Sequence, residues 1–262
     1  MRRMLSNLAA GALLAICCHA AAAQDLFSDK KPVAFDFLQK IDADQTVGSY
    51  PILNLGKNWG LFHAKTSTTN LNQSLGHISA VDIRDGKFVA FLDMTGNLEL
   101  VRSGDWTDEP CKRTDFLYKK GEGFKNINCA TIGYTTSFFQ RPTGDFQVYY
   151  AKFREMKLDI PPTVIRIDFT RYSDQGRRLV YSIKLNPEFF GFARDTETVW
   201  GASGWNKAFI EKNPKKVAFI AGLSKWVDAV RDRMDKAFDH QKDAFDGLPS
   251  LDSLANAAVD RQ

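Results

Sequence analysis

The stretch IRIDFTRYSDQGRRLVYSIKL, residues 165–185, decides the fold class. Its first part alternates apolar and polar residues, and after a turn region at 173–176 the alternation resumes, with apolar residues at Ile165, Ile167, Phe169, Leu179, Tyr181, Ile183 and Leu185. Strict alternation is typical of strands with one buried and one solvated face. The stretch therefore predicts an antiparallel hairpin whose sheet has a wet face carrying Arg166, Asp168 and Thr170.

A second hairpin is indicated upstream by Asp85-Gly86, because both residues of such a turn adopt positive φ. A two-residue loop there pairs Ile83 with Phe88 and Val81 with Ala90. A three-residue turn at 95–97 would then pair Leu92 with Leu100 and Met94 with Leu98. All four residues would lie on the same face as Phe88. Residues 78–102 are therefore predicted to form a three-stranded meander.

Three helices are predicted around these strands. The longest begins at Pro214 and runs to about Asp239, with an apolar stripe at Val217, Ile220, Ala221, Val227, Val230, Met234 and Phe238. Shorter helices are predicted from Asp145 and over 205–211. The expected fold is α+β: an antiparallel sheet of about six or more strands, with the helices packed on one face.

The N-terminus has the pattern of a secretory signal peptide. Arg2 and Arg3 precede an apolar stretch at 8–18, and small residues at 21–23 predict cleavage before Gln24. A membrane-spanning helix needs about 20 apolar residues, so this stretch is too short for one. Lipid attachment at Cys17 or Cys18 is disfavoured because no small residue precedes either cysteine.

Three regions follow from these patterns: a cleaved signal peptide at 1–23, a single α+β domain at 24–239, and a flexible tail at 240–262. No later segment approaches transmembrane length, so the mature protein is expected to be soluble. The expected location is the bacterial periplasm, or secretion from the cell.

Cys111 and Cys129 are the two cysteines that remain after cleavage. An even pair in an oxidising compartment predicts one disulfide. A redox role is disfavoured because the pair lacks Cys-x-x-Cys spacing.

The charge balance argues against nucleic-acid binding. Loss of Arg2 and Arg3 removes two of the 35 basic residues and none of the 31 acidic ones, so the mature chain is nearly neutral. Its basic clusters are short, whereas nucleic-acid binding needs a concentrated basic stripe. No cofactor or metal is predicted, since phosphate loops and paired metal-ligand histidines are absent from the sequence.

Hydrolase motifs are also absent. Gly201-Ala202-Ser203-Gly204-Trp205 approaches Gly-x-Ser-x-Gly but fails at its last position, so Ser203 is predicted to be a loop or helix-cap serine. A two-carboxylate glycosidase has no fixed motif and stays open. Convergence of His63, His77, Asp82 and Asp93 in one cleft would favour an enzyme.

The aromatic stretch at 189–205 is the remaining candidate for ligand binding. Its large aromatic residues suit an apolar pocket or a sugar-stacking platform, and the candidate ligand-binding residues are Phe190, Phe192, Trp200 and Trp205. The competing interpretation is packing between the hairpin and the last helices. Two function classes follow: a periplasmic binding or interaction module for a small apolar or sugar ligand or an envelope protein, and a cell-envelope hydrolase.

Overall fold

The structure is a computed structural model that describes residues 24–250, apart from 54–55, 57, 100–105, 107–109, 124, 137 and 139–144. The predicted signal peptide at 1–23 and the end of the predicted tail, at 251–262, lie outside the described residues.

The chain is built on a large antiparallel sheet, which confirms the predicted α+β class. The strands of the described chain, in sequence order, are β1 Phe27–Ser28, β2 Lys31–Pro32, β3 Gln39–Lys40, β4 Thr46–Val47, β5 Tyr50–Pro51, β6 Trp59–Thr68, β7 Ser74–Arg84, β8 Lys87–Asn97, β9 Tyr118–Glu122, β10 Asn128–Thr135, β11 Val164–Tyr172 and β12 Arg178–Leu185. Eight of these form the main sheet in the order β3-β6-β7-β8-β12-β11-β10-β9. The other four form two small two-stranded sheets.

Four α-helices accompany the sheet: α1 Asp145–Glu155, α2 Lys207–Ile210, α3 Pro214–Arg231 and α4 Met234–Phe238. The predicted C-terminal helix is thus two helices, with the break at residues 232–233. The break redirects the chain so that Phe238 lies against Tyr50, with ring centroids 6.2 Å apart. None of the described helices is long and apolar enough to cross a membrane.

The hairpin at 165–185 forms as predicted. Residues of β11 and β12 pair antiparallel, and the pairs include Ile167 with Ile183 and Phe169 with Tyr181. These four side chains are fully buried on one face of the sheet. The alternation identified the strands correctly because burial on that face is continuous.

The upstream hairpin differs from the prediction in its register. Ile83 pairs with Phe88 as expected, but Asp82, not Val81, is the partner of Ala90. Val89 is the extra residue of a β-bulge, which reverses the side-chain alternation from that point. Phe88 and Leu92, predicted to share a face, therefore lie in different core clusters.

The turn predicted at 95–97 is wrong, because β8 continues through these residues and pairs with β7. Gly96 lies inside the strand, where a Cβ atom would come 2.6 Å from Cδ2 of Tyr50. Glycine in a strand interior marks such a close approach as well as a turn. The third strand of the meander is instead β6, which pairs with the other edge of β7.

Helices cover both faces of the sheet, whereas the sequence predicted one. The face that we call the α3 face carries Leu92, Ile167 and Ile183 and packs against α3 and α4. The opposite face, the α1 face, carries Phe62 and Phe91, against which α1 packs its aromatic residues. The five consecutive apolar residues at 88–92 in β8 are the sequence signal for this double burial, because neighbouring residues of a strand face opposite sides.

Residues 240–250, which the sequence predicts as the start of a flexible tail, pack on the core. Ala244 and Phe245 are buried in the cluster of the α3 face. The indole nitrogen of Trp226 on α3 also donates a hydrogen bond to the backbone oxygen of Pro249, at 2.9 Å. The folded region therefore extends beyond residue 239.

Candidate functional site

A cavity of about 420 Å³ lies on the α1 face, beyond the part that α1 covers. Its floor is formed by β10, β11 and β12, whose side chains there include Thr131, Asp168, Thr170 and Val180. These residues belong to the wet face that the alternation predicted. We call this space the α1-face cavity.

The disulfide holds one wall of this cavity. Cys111 and Cys129 are bonded as predicted, with their Cα atoms 6.4 Å apart. Cys129 belongs to β10, so the bond ties the segment at 110–116 to the sheet. The same segment is also held by Lys207, whose Nζ donates to the backbone oxygen of Thr114 at 3.2 Å.

An aromatic pair forms the rim at one end. The rings of Trp200 and Tyr134 are stacked, with centroids 5.2 Å apart and an interplanar angle of 7°. The Tyr134 hydroxyl donates to the backbone oxygen of Trp200 at 2.8 Å and accepts a hydrogen bond from Nδ2 of Asn206 at 3.0 Å. Trp200 keeps 41% of its surface exposed. The indole is therefore oriented by one neighbour and still open to a ligand.

Two ion pairs line the cavity. Arg113 Nε donates to Asp115 Oδ1 at 2.9 Å, and Arg166 Nε donates to Asp168 Oδ1 at 2.9 Å. The bond from Arg113 lowers the pKa of the Asp115 carboxyl. Asp115 therefore stays ionised near neutral pH and is unsuited to donate a proton to a leaving group.

The opposite end of the cavity is formed by Tyr172 and Arg178, which are partners across β11 and β12. The Arg178 guanidinium lies beside two neighbouring aromatic rings, 4.5 Å from the centroid of Trp106 and 5.0 Å from that of Tyr172. The cavity thus runs from an aromatic rim to a cationic end.

The four aromatic residues proposed from sequence divide into two groups. Phe190, Phe192 and Trp205 are 4%, 8% and 0% exposed and pack in the core near Phe219 of α3. Trp200 alone of the four lines the α1-face cavity. For the other three, the arrangement favours the core-packing interpretation.

The cavity's polar residues were not proposed as a site from sequence. Arg166, Asp168 and Thr170 were recognised only as the outward set of a strand, which is a weak signal because most strands have one. Arg113, Asp115 and Arg178 carried no signal, since their contribution depends on the disulfide and on strand pairing.

The four residues whose convergence in one cleft would favour an enzyme come together only in part. His63 and Asp93 approach one another through Tyr149 and Ser79: the Tyr149 hydroxyl lies 3.4 Å from His63 Nδ1, and Ser79 Oγ donates to Asp93 Oδ1 at 2.7 Å. His77 instead lies between two other hydroxyls, 2.6 Å from Ser67 Oγ and 2.9 Å from Thr95 Oγ1.

Asp82 is engaged elsewhere, because its carboxylate pairs with the guanidinium of Arg84. His63, His77 and Asp93 do not line the α1-face cavity, nor the cavities of the described chain that lie beside Phe153 and Phe245. His63 and Asp93 are thus linked through the hydroxyl groups of two other side chains, whereas His77 and Asp82 bond to separate partners.

Ser203 is fully buried and caps a turn, as predicted. Its hydroxyl donates to Asp195 Oδ2 at 2.6 Å and accepts from the Trp205 backbone nitrogen at 3.1 Å. No group of three or more histidine, cysteine, aspartate or glutamate side chains within the described residues is arranged to hold a metal ion.

Comparison with known proteins gives little further information. No family model and no curated protein matches the chain. A putative transcriptional regulator from Streptomyces coelicolor is similar over 50% of this chain and 87% of its own, with 12% identity and a TM-score of 0.27. The effector-binding domain of the trehalose repressor from B. subtilis is similar over 52% and 95%, with 13% identity and a TM-score of 0.29. TM-scores this low do not establish a shared fold, and no function is transferred from either protein.

Proposed function

We propose that the protein is an exported binding module that holds a sugar in the α1-face cavity, with Trp200 as the stacking platform. The observation that carries this proposal is the exposed, pre-oriented indole of Trp200 at the rim of a polar cavity. Export is the expectation from the N-terminal pattern, and a disulfide is compatible with an oxidising compartment.

The lining suits the two kinds of surface on a sugar ring. The ring's C–H face packs on an aromatic side chain, whereas its hydroxyl groups need donors and acceptors around the edge. The cavity supplies the first through Trp200 and the second through Thr131, Thr170 and the ion-paired Asp168. An apolar ligand would displace water from these polar groups and offer them no hydrogen bonds in return, which costs free energy.

Binding without hydrolysis is favoured by the state of the cavity's carboxylates. Glycoside hydrolysis needs one protonated carboxyl as general acid and one ionised carboxylate. Asp115 and Asp168 both accept hydrogen bonds from arginine, and Arg113 lowers the pKa of Asp115. Asp115 is therefore held in its ionised form and is unsuited to the role of general acid.

The test is isothermal titration calorimetry of the mature protein against a panel of neutral and acidic mono- and disaccharides. We expect at least one sugar to bind, and Trp200→Ala to weaken it about tenfold, which corresponds to about 1.4 kcal/mol of stacking and burial. Phe209→Ala is the matched control, because Phe209 is an exposed aromatic residue outside the cavity lining. Equal affinities for the parent and Trp200→Ala, or no sugar bound by the parent, would contradict the proposal.

A further inference from the structure

Resting on the proposed function, we infer that the ligand is an acidic oligosaccharide of at least two rings, whose carboxylate binds Arg178. The cavity is lined by five charged side chains, and four of them form the pairs Arg113–Asp115 and Arg166–Asp168. Arg178 is the fifth. Its guanidinium forms no ion pair with a carboxylate of the described residues and contacts the rings of Trp106 and Tyr172 instead.

The guanidinium of Arg178 is held ready for a ligand. Rings of Trp106 and Tyr172 lie against it, and its Nε atom is buried without a hydrogen-bond partner among the described residues. A buried N–H group without a partner is unfavourable, because it has lost its hydrogen bonds to water. A carboxylate accepting from Nε and a terminal nitrogen would satisfy it, and arginine forms such paired bonds in a fixed plane.

The length of the ligand follows from the strand register. Trp200 stacks on Tyr134, which pairs with Ile165 at the start of β11, whereas Arg178 pairs with Tyr172 at its end. Residues 165 and 172 are separated by roughly 23 Å along an extended strand. Because Trp200 and Arg178 lie near opposite ends of β11, one sugar ring is too short to touch both.

The probes are digalacturonic acid and its dimethyl ester, which differ in charge and keep the same two rings. Calorimetry near pH 7 is expected to show the acid binding the parent protein about tenfold more tightly than the ester. Arg178→Gln should abolish this preference and leave ester binding unchanged. Arg154→Gln is the matched control, because Arg154 lies on α1 outside the cavity lining and should keep the preference.

The outcomes separate this inference from the proposed function. A parent protein that binds acid and ester equally, with binding still weakened by Trp200→Ala, overturns the acidic-ligand inference and leaves the sugar site standing. Retention of the preference in Arg178→Gln also overturns it. Failure of every sugar to bind the parent contradicts both.

If Arg178→Gln does not fold, as judged by circular dichroism, Arg178→Lys keeps the charge but removes the planar pair of donors. A smaller preference for the acid in that variant is the expected result. An unchanged preference would show that the planar guanidinium is not what binds the carboxylate.

Discussion

The two faces of the central sheet are covered in different ways. The α3 face is apolar from β6 to β10 and is closed by α3, α4 and residues 244–245, with Trp205 and Val227 fully buried. The α1 face is apolar where α1 packs and again around the disulfide, and over β10–β12 polar side chains such as Thr131, Asp168 and Thr170 line a cavity.

This difference separates the energetic roles of the faces. Burial of apolar surface is the main stabilising contribution in folding, so the α3 face carries most of it. A polar surface that is only partly covered contributes less to stability but leaves donors and acceptors available to a ligand. The stretch at 189–205 spans this boundary, since it supplies Trp205 to the core and Trp200 to the cavity.

The largest expected difference in the free energy of unfolding is between the alanine variants of these two tryptophans. Trp205→Ala removes a fully buried indole packed against Phe192 and Phe219, with centroids 5.0 and 6.1 Å away, and should lower the free energy of unfolding by about 4 kcal/mol. Trp200→Ala should change it by about 0.5 kcal/mol or less, because much of the indole is exposed. Urea denaturation measures both, and similar losses would contradict the assignment of the two residues to different roles.

Removal of the disulfide tests how much this bond contributes to stability and to the cavity wall on the α1 face. The bond joins residues 18 apart, so its loss should cost about 3 kcal/mol by the chain-entropy model. Urea denaturation of the parent under oxidising and reducing conditions, beside the Cys111→Ala/Cys129→Ala variant, measures this cost. The variant should also bind the sugar ligand more weakly, because the wall at 110–116 loses its attachment to β10. Unchanged binding would show that the wall is held without the bond.

A pair of glycine substitutions tests the close packing of the α3 face. Gly96→Ala should lower the free energy of unfolding by about 2 kcal/mol, because its Cβ atom would overlap the Tyr50 ring. Gly222→Ala, within α3, places its Cβ where no heavy atom lies within 4 Å, and should raise it by about 0.5–1 kcal/mol. Thermal unfolding checks the sign of each change, and a stabilising Gly96→Ala would contradict the close approach of Tyr50.

The smallest expected effect is on the pH dependence of the free energy of unfolding. The ring centroids of His240 and Tyr50 are 4.4 Å apart. Burial is the main reason that the pKa of the His240 imidazole is lower than the ordinary 6.5, and the positive charge of Arg177 lowers it further. As pH falls through about 6.5, the unfolded chain takes up a proton that the folded chain does not, so the free energy of unfolding should decrease. His240→Gln should show a shallower decrease over that range in urea denaturation. An identical pH profile would show that His240 does not contribute.

Local patterns predicted the strands at 165–185 because neighbouring residues of one strand share the same environment. The error at 95–97 arose where a tertiary contact, that of Gly96 with Tyr50, accounts for a residue that also suits a turn. The predicted register was wrong for a different reason: Val89 is the extra residue of a β-bulge, and one extra residue reverses the alternation of all later residues in the strand. The candidate site was predictable only in part: Trp200 was proposed, whereas Arg178 depends on pairing with β11 and on Trp106.

The sequence alone determined the α+β class, the hairpin at 165–185, the pairing of Cys111 with Cys129 and the aromatic stretch. These follow from periodicity and composition, which are properties of neighbouring residues. Only the tertiary structure decided that α1 covers the second face, that Trp205 is core, and that Trp200 meets a cavity ending at Arg178. Those outcomes depend on contacts between distant parts of the chain: Trp200 stacks on a strand 66 residues earlier, and burial is the sum of such contacts.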